Sequence, residues 1–206
     1  MIPSSDLAAG IRHHALRTVI MVTTDKCYEN REWLHPYRES DPMGGHDPYS
    51  VSKGAAEIAI AAYRRSFFNS PHSPVRVASA RAGNVIGGGD WAPDRFVPDA
   101  LTSSFNFGPA VSANQSVGSL VAALLSRTGG SWTTAADPSA PHEASRLHLA
   151  TEKAYHLLGW EPAWQFPDTV RMTASWYLQS AKGSDPADLT RSQILDCAAI
   201  GTRTTN

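Results

Sequence analysis

Residues 19–26 read Val-Ile-Met-Val-Thr-Thr-Asp-Lys, a short apolar run followed at once by polar side chains. A continuous apolar run of this length predicts a buried strand of a parallel sheet. A second run, Val75–Ala80, ends in Arg-Ala-Gly-Asn at residues 81–84. Ligands of open α/β sheets bind at the carboxyl ends of the strands, so the polar residues after both runs mark a candidate site.

The segment between the two strands predicts a helix. Asp47 is suited to cap its N-terminus and Pro48 to occupy its first position. Apolar residues recur at helical spacing as far as the Asn69-Ser70-Pro71 breaker, namely Ala56, Ile60, Tyr63 and Phe67. Strand, helix and strand make a βαβ unit, and the polar ends of both strands lie at one edge of the sheet. We call it the carboxyl edge.

Tyr49 and Lys53 are four residues apart at the start of the predicted helix. Residues at this spacing lie on one helix face, and an ammonium group close to a tyrosine favours its phenolate form. Such a pair can accept a proton from a hydroxyl group. An ordinary helix start with an exposed lysine has the same pattern, so the pair gains meaning only from the motifs around it.

Three motifs together resemble the extended short-chain dehydrogenase/reductases: Thr24–Tyr28, Tyr49–Lys53 and Arg81–Trp91. Within that superfamily the chain looks most similar to the CDP-glucose branch of the sugar-nucleotide 4,6-dehydratases. The narrower resemblance comes from Asp25–Trp33, Pro42–Gly45 and Gly87–Trp91. Related dehydratases of the dTDP and GDP branches usually carry glutamate where this chain has Lys26. The resemblance resumes in three later segments, Phe105–Pro109, His142–Ala144 and Lys153–Trp164.

The resemblance implies roles for the residues at the carboxyl edge. Tyr49 would accept the proton of the sugar 4-hydroxyl while hydride passes from C4 to NAD, and Lys53 would hold the nicotinamide ribose. Thr24 would hydrogen-bond the same 4-hydroxyl. Asp25 would protonate the departing 6-hydroxyl. Lys26 would stand in for the base that removes the C5 proton, which a lysine can do only as a neutral amine; otherwise it only orients groups.

The resemblance also implies substrate-binding residues further along the chain. Asn84 would contact the sugar nucleotide, and Asp94 and Arg95 would bind its nucleotide part. For the last two residues a helix cap and a surface salt bridge are equally good interpretations. The reaction would give a 4-keto-6-deoxy sugar without net oxidation, and the resemblance implies a homodimer.

Composition favours a globular protein of the reducing cytoplasm. The 206 residues are 42% hydrophobic and 18% charged, enough for one moderate core, and the net charge is −1. This charge does not predict a nucleic-acid or membrane partner. Two cysteines far apart predict no disulfide framework, and no residue cluster has metal-ligand spacing. No apolar run approaches the roughly 18 residues of a membrane span, and the first residues do not resemble a signal peptide.

The Gly-x-Gly-x-x-Gly fingerprint of dinucleotide binding does not occur in the sequence. In the family that the chain resembles, several βα units, together on the order of 100 residues, precede the strand that ends here at Thr24, whereas this sequence has only residues 1–18 before that strand. A stretch of a few dozen residues that the family has at about the position of Ser104 is also absent from this sequence. We therefore expect an α/β fold with an incomplete Rossmann-like, doubly wound parallel sheet.

The expected organisation has three parts. Residues 1–104 form a partial NAD-binding domain with the catalytic residues, 105–180 a partial small α/β substrate-binding domain, and 181–206 a mobile tail with at most a turn of helix around Ile194–Leu195. The spacing of apolar residues predicts three further helices: one ending before Gly129, one over Thr151–Leu158 closed by Gly159, and one over Pro167–Ser180 with Val170, Ala174 and Tyr177 inward.

Three hypotheses follow. The chain is a CDP-glucose 4,6-dehydratase-like lyase, an inactive or partner-dependent remnant of such an enzyme, or a related sugar-nucleotide epimerase or reductase. Lys26 and the Gly87–Trp91 motif argue against the third.

We predict a weakly stable or aggregation-prone monomer. Strands that lose their neighbours become exposed edges, so Val19–Val22 would present unpaired backbone groups and apolar side chains. Thermal melting and size-exclusion chromatography test this expectation. A sharp cooperative melt together with a monodisperse monomer peak would contradict it.

Overall fold

The structure is a computed structural model that describes residues 17–70, 72–84, 102–110, 113, 115–133 and 147–201. The predicted substrate-binding residues Asp94 and Arg95 and the motifs Gly87–Trp91 and His142–Ala144 lie outside the described residues. The chain divides into two compact units. The first contains the described residues up to 83 together with 102–108 and 147–159, and the second contains the remainder.

A parallel three-stranded sheet forms the centre of the first unit. Its strands are β1 (Thr18–Thr24), β2 (Arg76–Ala82) and β3 (Ser104–Phe107), in the order β1-β2-β3. Thr18 pairs with Arg76 at one end of β1 and Thr24 with Ala82 at the other, so β1 and β2 end together. The predicted parallel βαβ unit is confirmed. β3 pairs with β2 over residues 104–107, so this strand crosses the expected domain boundary after Ser104.

Helix α1 (Pro48–Tyr63) connects β1 to β2 and continues through a π-helical turn, Arg64–Phe68. The side chain of Asp47 caps its N-terminus by accepting a hydrogen bond from the backbone N–H of Ser50 at 3.0 Å. Pro48 occupies the first turn, where its missing N–H costs nothing. The predicted cap, start and end of this helix are confirmed.

The apolar core of this unit lies between the sheet and helix α1. Ile60, Val75 and Val77 are buried together, and Val19, Met21 and Phe68 pack against them. Side chains alternate along a strand, so the other face of β1 carries Ile20 and Val22. Both are exposed, Val22 to 77%. The expected exposure of apolar side chains on this strand is confirmed for these two residues.

The loop between β1 and α1 is held by aromatic packing. Cys27, Tyr28 and Tyr37 are buried together against Trp33, Leu147 and Leu149. A bridge between Tyr37 and Leu149 joins this loop to the segment that leads into helix α3, whose range is Glu152–Leu158. Helix α3 packs on β3 and ends at Gly159 in the left-handed region (φ 62°), as predicted.

The second unit contains three helices among its described residues: α2 (Val117–Thr128), α4 (Phe166–Ala181) and α5 (Pro186–Gly201). Helix α4 packs against both of the others. Val170 and Ala174 are buried as predicted, whereas Tyr177 is 61% exposed and its inward prediction is wrong. The buried residues of α4 end one turn before Tyr177, so helical spacing alone assigned it to the wrong environment.

The prediction of at most a turn of helix after Ala181, around Ile194–Leu195, is also wrong, because Pro186–Gly201 form helix α5. Asp185 caps this helix by accepting hydrogen bonds from the backbone N–H groups of Ala187 and Asp188. Trp176 of α4 donates a hydrogen bond to Thr190 at 3.1 Å. An acidic residue followed by proline was the sequence signal for this helix start.

None of the helices in the described part of the chain is long and apolar enough to cross a membrane.

The core of the first unit predicts different costs for two isoleucines of helix α1. Replacing the buried Ile60 by alanine leaves a cavity and should lower the free energy of unfolding by about 2 to 5 kcal/mol. Ile58 is exposed, so Ile58→Ala should change it by no more than about 0.5 kcal/mol. Urea denaturation of both variants checks the difference; equal losses would contradict this core.

Candidate active site at the carboxyl edge

Thr24, Asp25 and Lys26 lie together at the carboxyl end of β1. Asp25 begins a single 3₁₀ turn, Asp25–Cys27, that follows directly on the strand. Thr24 donates a hydrogen bond from Oγ1 to Asp25 Oδ1 at 2.8 Å and accepts one from the backbone N–H of Lys26 at 3.3 Å. The hydroxyl of Thr24 therefore fixes the turn that presents the two residues after it.

Asp25 is buried, and its environment favours the protonated carboxyl group. Burial raises its pKa above the ordinary value, and this effect outweighs the hydrogen bond from Thr24 and the nearby charge of Lys26. Gly83 lies beside it: a Cβ atom at Gly83 would stand 3.3 Å from Asp25 Oδ2. A carboxyl group biased toward its protonated form can act as a proton donor.

Tyr49 and Lys53 lie on one face of the first two turns of helix α1. The Nζ atom of Lys53 is 5.1 Å from the centre of the Tyr49 ring. Tyr49 is 57% exposed, and Lys53 is half-buried. The structure therefore brings the two side chains together as the spacing predicted, with the tyrosine accessible to a ligand.

Helix α1 approaches the 3₁₀ turn closely at Gly54, the residue after Lys53. A Cβ atom at this position would lie 3.3 Å from the carbonyl oxygen of Cys27 and 3.4 Å from the backbone nitrogen of Gly44. Both neighbours are backbone atoms, which cannot rotate away. The absence of a side chain here allows α1 to pack against the turn, so both groups of predicted catalytic residues stand at the carboxyl edge.

A buried carboxylate, Glu57, was not identified from the sequence. It is 1% exposed and accepts hydrogen bonds from the Thr23 hydroxyl, from Ser79 Oγ at 3.0 Å and from Arg81 Nη2 at 2.8 Å. Burial alone would raise the pKa of Glu57, but the hydrogen bonds from Arg81 and Thr23 outweigh it and the pKa is lowered. Its position four residues after Lys53, on the same side of the helix, was the sequence signal that could have identified it.

Arg81 extends this network to the third strand. Its Nη1 donates to Tyr28 Oη at 2.7 Å, and Tyr28 in turn donates to Asn106 Oδ1 at 2.7 Å. The backbone N–H of Asn106 donates to Glu39 Oε1 at 2.8 Å. Burial alone would lower the pKa of Arg81, but the bonds to Glu57 and Tyr28 outweigh it and the pKa is raised. Within this network the ion pair is the one between Glu57 and Arg81.

Asn84, the third predicted substrate-binding residue, follows β2 by two residues and is exposed. Cys27 is fully buried, and burial raises the pKa of its thiol to about 12, so it is a poor nucleophile. No cluster of His, Cys, Asp and Glu side chains suited to a metal ion occurs among the described residues.

A parallel sheet with a Tyr–Lys pair on the crossover helix and a Thr–Asp pair at the carboxyl end of the first strand defines the class of short-chain dehydrogenase/reductase folds. A family model described as "NAD dependent epimerase/dehydratase family" matches residues 4–106, half of the chain. The chain belongs to this family.

One curated relative and two solved structures show the extent of the similarity. A CDP-glucose 4,6-dehydratase of Salmonella typhimurium is 35% identical over an alignment 237 residues long, gaps included, which covers 91% of this chain and 66% of the relative. A dTDP-glucose 4,6-dehydratase of Bacillus anthracis superposes with a TM-score of 0.66 at 17% identity, covering 86% of this chain and 67% of that one. A UDP-glucose 4-epimerase of Thermotoga maritima gives 0.65 at 16% identity, with 85% and 67% coverage.

The chain thus spans 66% of the length of the curated relative that it matches. The alignment is 237 residues long, gaps included, and this chain has only 206 residues, so the relative contains segments without a counterpart here. The two structures are too distant in sequence to show more than the fold.

Asp25→Asn should stabilise the protein at neutral pH. The pKa of Asp25 is raised on folding, so the folded state binds more protons than the unfolded state just above pH 3.8, and stability falls as pH rises through that window. Asparagine removes this penalty and keeps the oxygen that Thr24 contacts. Urea denaturation should show a gain at pH 7 that shrinks below about pH 4.

Asp188→Asn serves as the control, because Asp188 is exposed on helix α5. The same change there should give no comparable gain at pH 7. A destabilised Asp25→Asn variant at pH 7 would contradict the assigned environment of Asp25.

Proposed function

We propose that the chain carries the acid–base centre of a sugar-nucleotide 4,6-dehydratase that acts on CDP-glucose with NAD. The observation that carries this proposal is the packing of helix α1, which carries the Tyr49–Lys53 pair, against the turn Asp25–Cys27 at the end of β1, with the close approach at Gly54. Similarity to a curated CDP-glucose 4,6-dehydratase supports the substrate. The similarity covers 66% of that relative, so the complete reaction is a proposal for this chain.

The first proton transfer is assigned to Tyr49. The exposed phenol would accept the proton of the sugar 4-hydroxyl, with the neighbouring Lys53 ammonium stabilising the negative charge that the phenol oxygen acquires. Thr24 would hold the same hydroxyl, although its own hydrogen is used by Asp25 in the structure. On substrate binding, Thr24 would therefore exchange this bond or accept one from the sugar.

Elimination of water is assigned to Asp25. Oxidation at C4 makes the C5 proton acidic, and loss of that proton expels the 6-hydroxyl, which needs a proton to leave as water. The buried, protonation-prone carboxyl group of Asp25 fits this role. Lys26, the next residue, is the candidate to remove the C5 proton, which requires its neutral amine form; as an ammonium it would only orient groups.

The side chains at the carboxyl edge fit one end of the proposed cofactor. Lys53 and the Tyr49 hydroxyl are donors that would hold the nicotinamide ribose. NAD, when bound, supplies a reversible store for the hydride taken from C4 and returned to C6. The sequence contains no Gly-x-Gly-x-x-Gly loop to hold the phosphates, and calorimetry with NAD tests the binding.

Asn84, Asp94 and Arg95 remain the proposed contacts to the sugar nucleotide. Asn84 is accessible, two residues beyond β2. The other two rest on the resemblance.

Tyr49→Phe should strongly lower turnover in a direct assay. Purified protein is incubated with CDP-glucose and NAD, and the 4-keto product is followed by its absorbance in alkali. Loss of the phenol should lower kcat by about 100- to 10,000-fold, the usual contribution of a positioned acid or base. Tyr63→Phe is the matched control, because it makes the same change further along the same helix and should keep full activity.

The same assay separates the alternatives. Turnover of CDP-glucose but not of dTDP-, GDP- or UDP-glucose supports the substrate assignment, whereas an epimerised product without a 4-keto sugar supports a related epimerase. Absence of turnover, with no NAD binding by calorimetry, would contradict the proposal and support a non-catalytic or partner-dependent chain.

A further inference from the structure

We propose that Glu57 is a positioning residue that fixes helix α1 against β1 and β2, and thereby sets where Tyr49 and Lys53 stand relative to Thr24 and Asp25. Its meaning for catalysis rests on the proposed function. The geometry that it controls can be measured without turnover.

Glu57 lies two helical turns beyond Tyr49, in the series Tyr49, Lys53, Glu57. Residues four apart follow one another along one side of a helix. Along this side the exposed fraction falls from 57% at Tyr49 to 1% at Glu57. The accessible end carries the proposed chemistry, and the buried end is the part that the sheet holds.

The contacts of Glu57 reach both strands at the carboxyl edge. Thr23 of β1 and Arg81 of β2 are register partners in the sheet, and both donate hydrogen bonds to this carboxylate. Ser79 of β2 adds a third at 3.0 Å. One carboxylate of α1 therefore accepts hydrogen bonds from both members of a cross-strand pair. One member, Thr23, immediately precedes Thr24 of the proposed site.

These contacts leave the helix little freedom. Sliding or rotating α1 would break bonds to two strands at once and would leave the buried charge of Arg81 without its partner. Gly54 lets the same helix lie directly against the turn after β1. The helix is therefore in close contact with that turn and is also hydrogen-bonded to the sheet through Glu57. Displacement of a reacting group by about 1 Å can cost on the order of 100-fold in rate.

Thr23→Val is the sharpest variant for testing this role. It removes the hydroxyl that ties Glu57 to β1, keeps the β-branched shape suited to a strand, and leaves the Glu57–Arg81 pair intact. Thr18→Val is its matched control, because it makes the same change at the opposite end of β1. Glu57→Ala removes all three bonds but carries a risk of unfolding.

The kinetic arm separates positioning from stability. In the CDP-glucose and NAD assay, Thr23→Val should lower kcat about tenfold and Glu57→Ala about 100-fold, with KM nearly unchanged. Thr18→Val should match the wild type. Folded Thr23→Val and Glu57→Ala variants with wild-type kcat would overturn the proposal.

The second arm does not require an active protein. In NMR spectra of the full chain, the Tyr49 ring signal, identified by its loss in Tyr49→Phe, and the amide signals of Ser50 and Lys53 report the position of the first turns of α1. All three should shift in Thr23→Val and stay unchanged in Thr18→Val. Unchanged signals in Thr23→Val would overturn the proposal. If the wild-type protein shows no turnover but Thr23→Val still shows these shifts, only the proposed function is rejected.

Discussion

The buried ion pair between Glu57 and Arg81 holds the described site together. Both side chains are almost completely withdrawn from water, and the two charged groups approach to 2.8 Å. A pair in this situation is tolerable only while complete, since either charge alone would be buried without compensation. Its partners lie on helix α1, on strand β2 and, through Tyr28 and Asn106, on strand β3. The pair therefore specifies one arrangement of helix and sheet.

Two carboxyl groups of the first unit are shifted in opposite directions by their surroundings. Glu57 has a cation and two hydroxyl donors, and its pKa is lowered. Asp25 is buried with one hydroxyl donor and a half-buried lysine, and its pKa is raised. The first group is suited to holding structure as an anion, whereas the second is suited to giving up a proton. Environment, not residue type, separates the two roles.

Local patterns were sufficient for much of the fold and for the proposed chemical groups. The apolar run at Val19–Val22, the Asp47 cap and the Tyr49–Lys53 spacing each depend on neighbours within a few residues, and the structure forms the strand, the cap and the pair as predicted. The expected burial of the strand is wrong: none of its residues is buried, because β1 lies at the edge of the described sheet. Glu57 could not be found in this way, because a glutamate in a helix usually faces water and its cation is 24 positions away. Helix α5 was missed because polar residues hid its amphipathic pattern, although Asp185-Pro186 marked its start.

The outer face of β1, where Ile20 and Val22 stand exposed, also bears on how the site could change over time. The contacts that hold Tyr49 and Lys53 leave from the opposite face, through Thr23, Val19 and Met21. Because side chains alternate along a strand, the two surfaces are made by different residues, at alternate positions of β1. Substitutions at positions 20 and 22 can adapt the protein to new neighbours, such as another segment or another subunit, while the residues that hold the helix remain under separate selection.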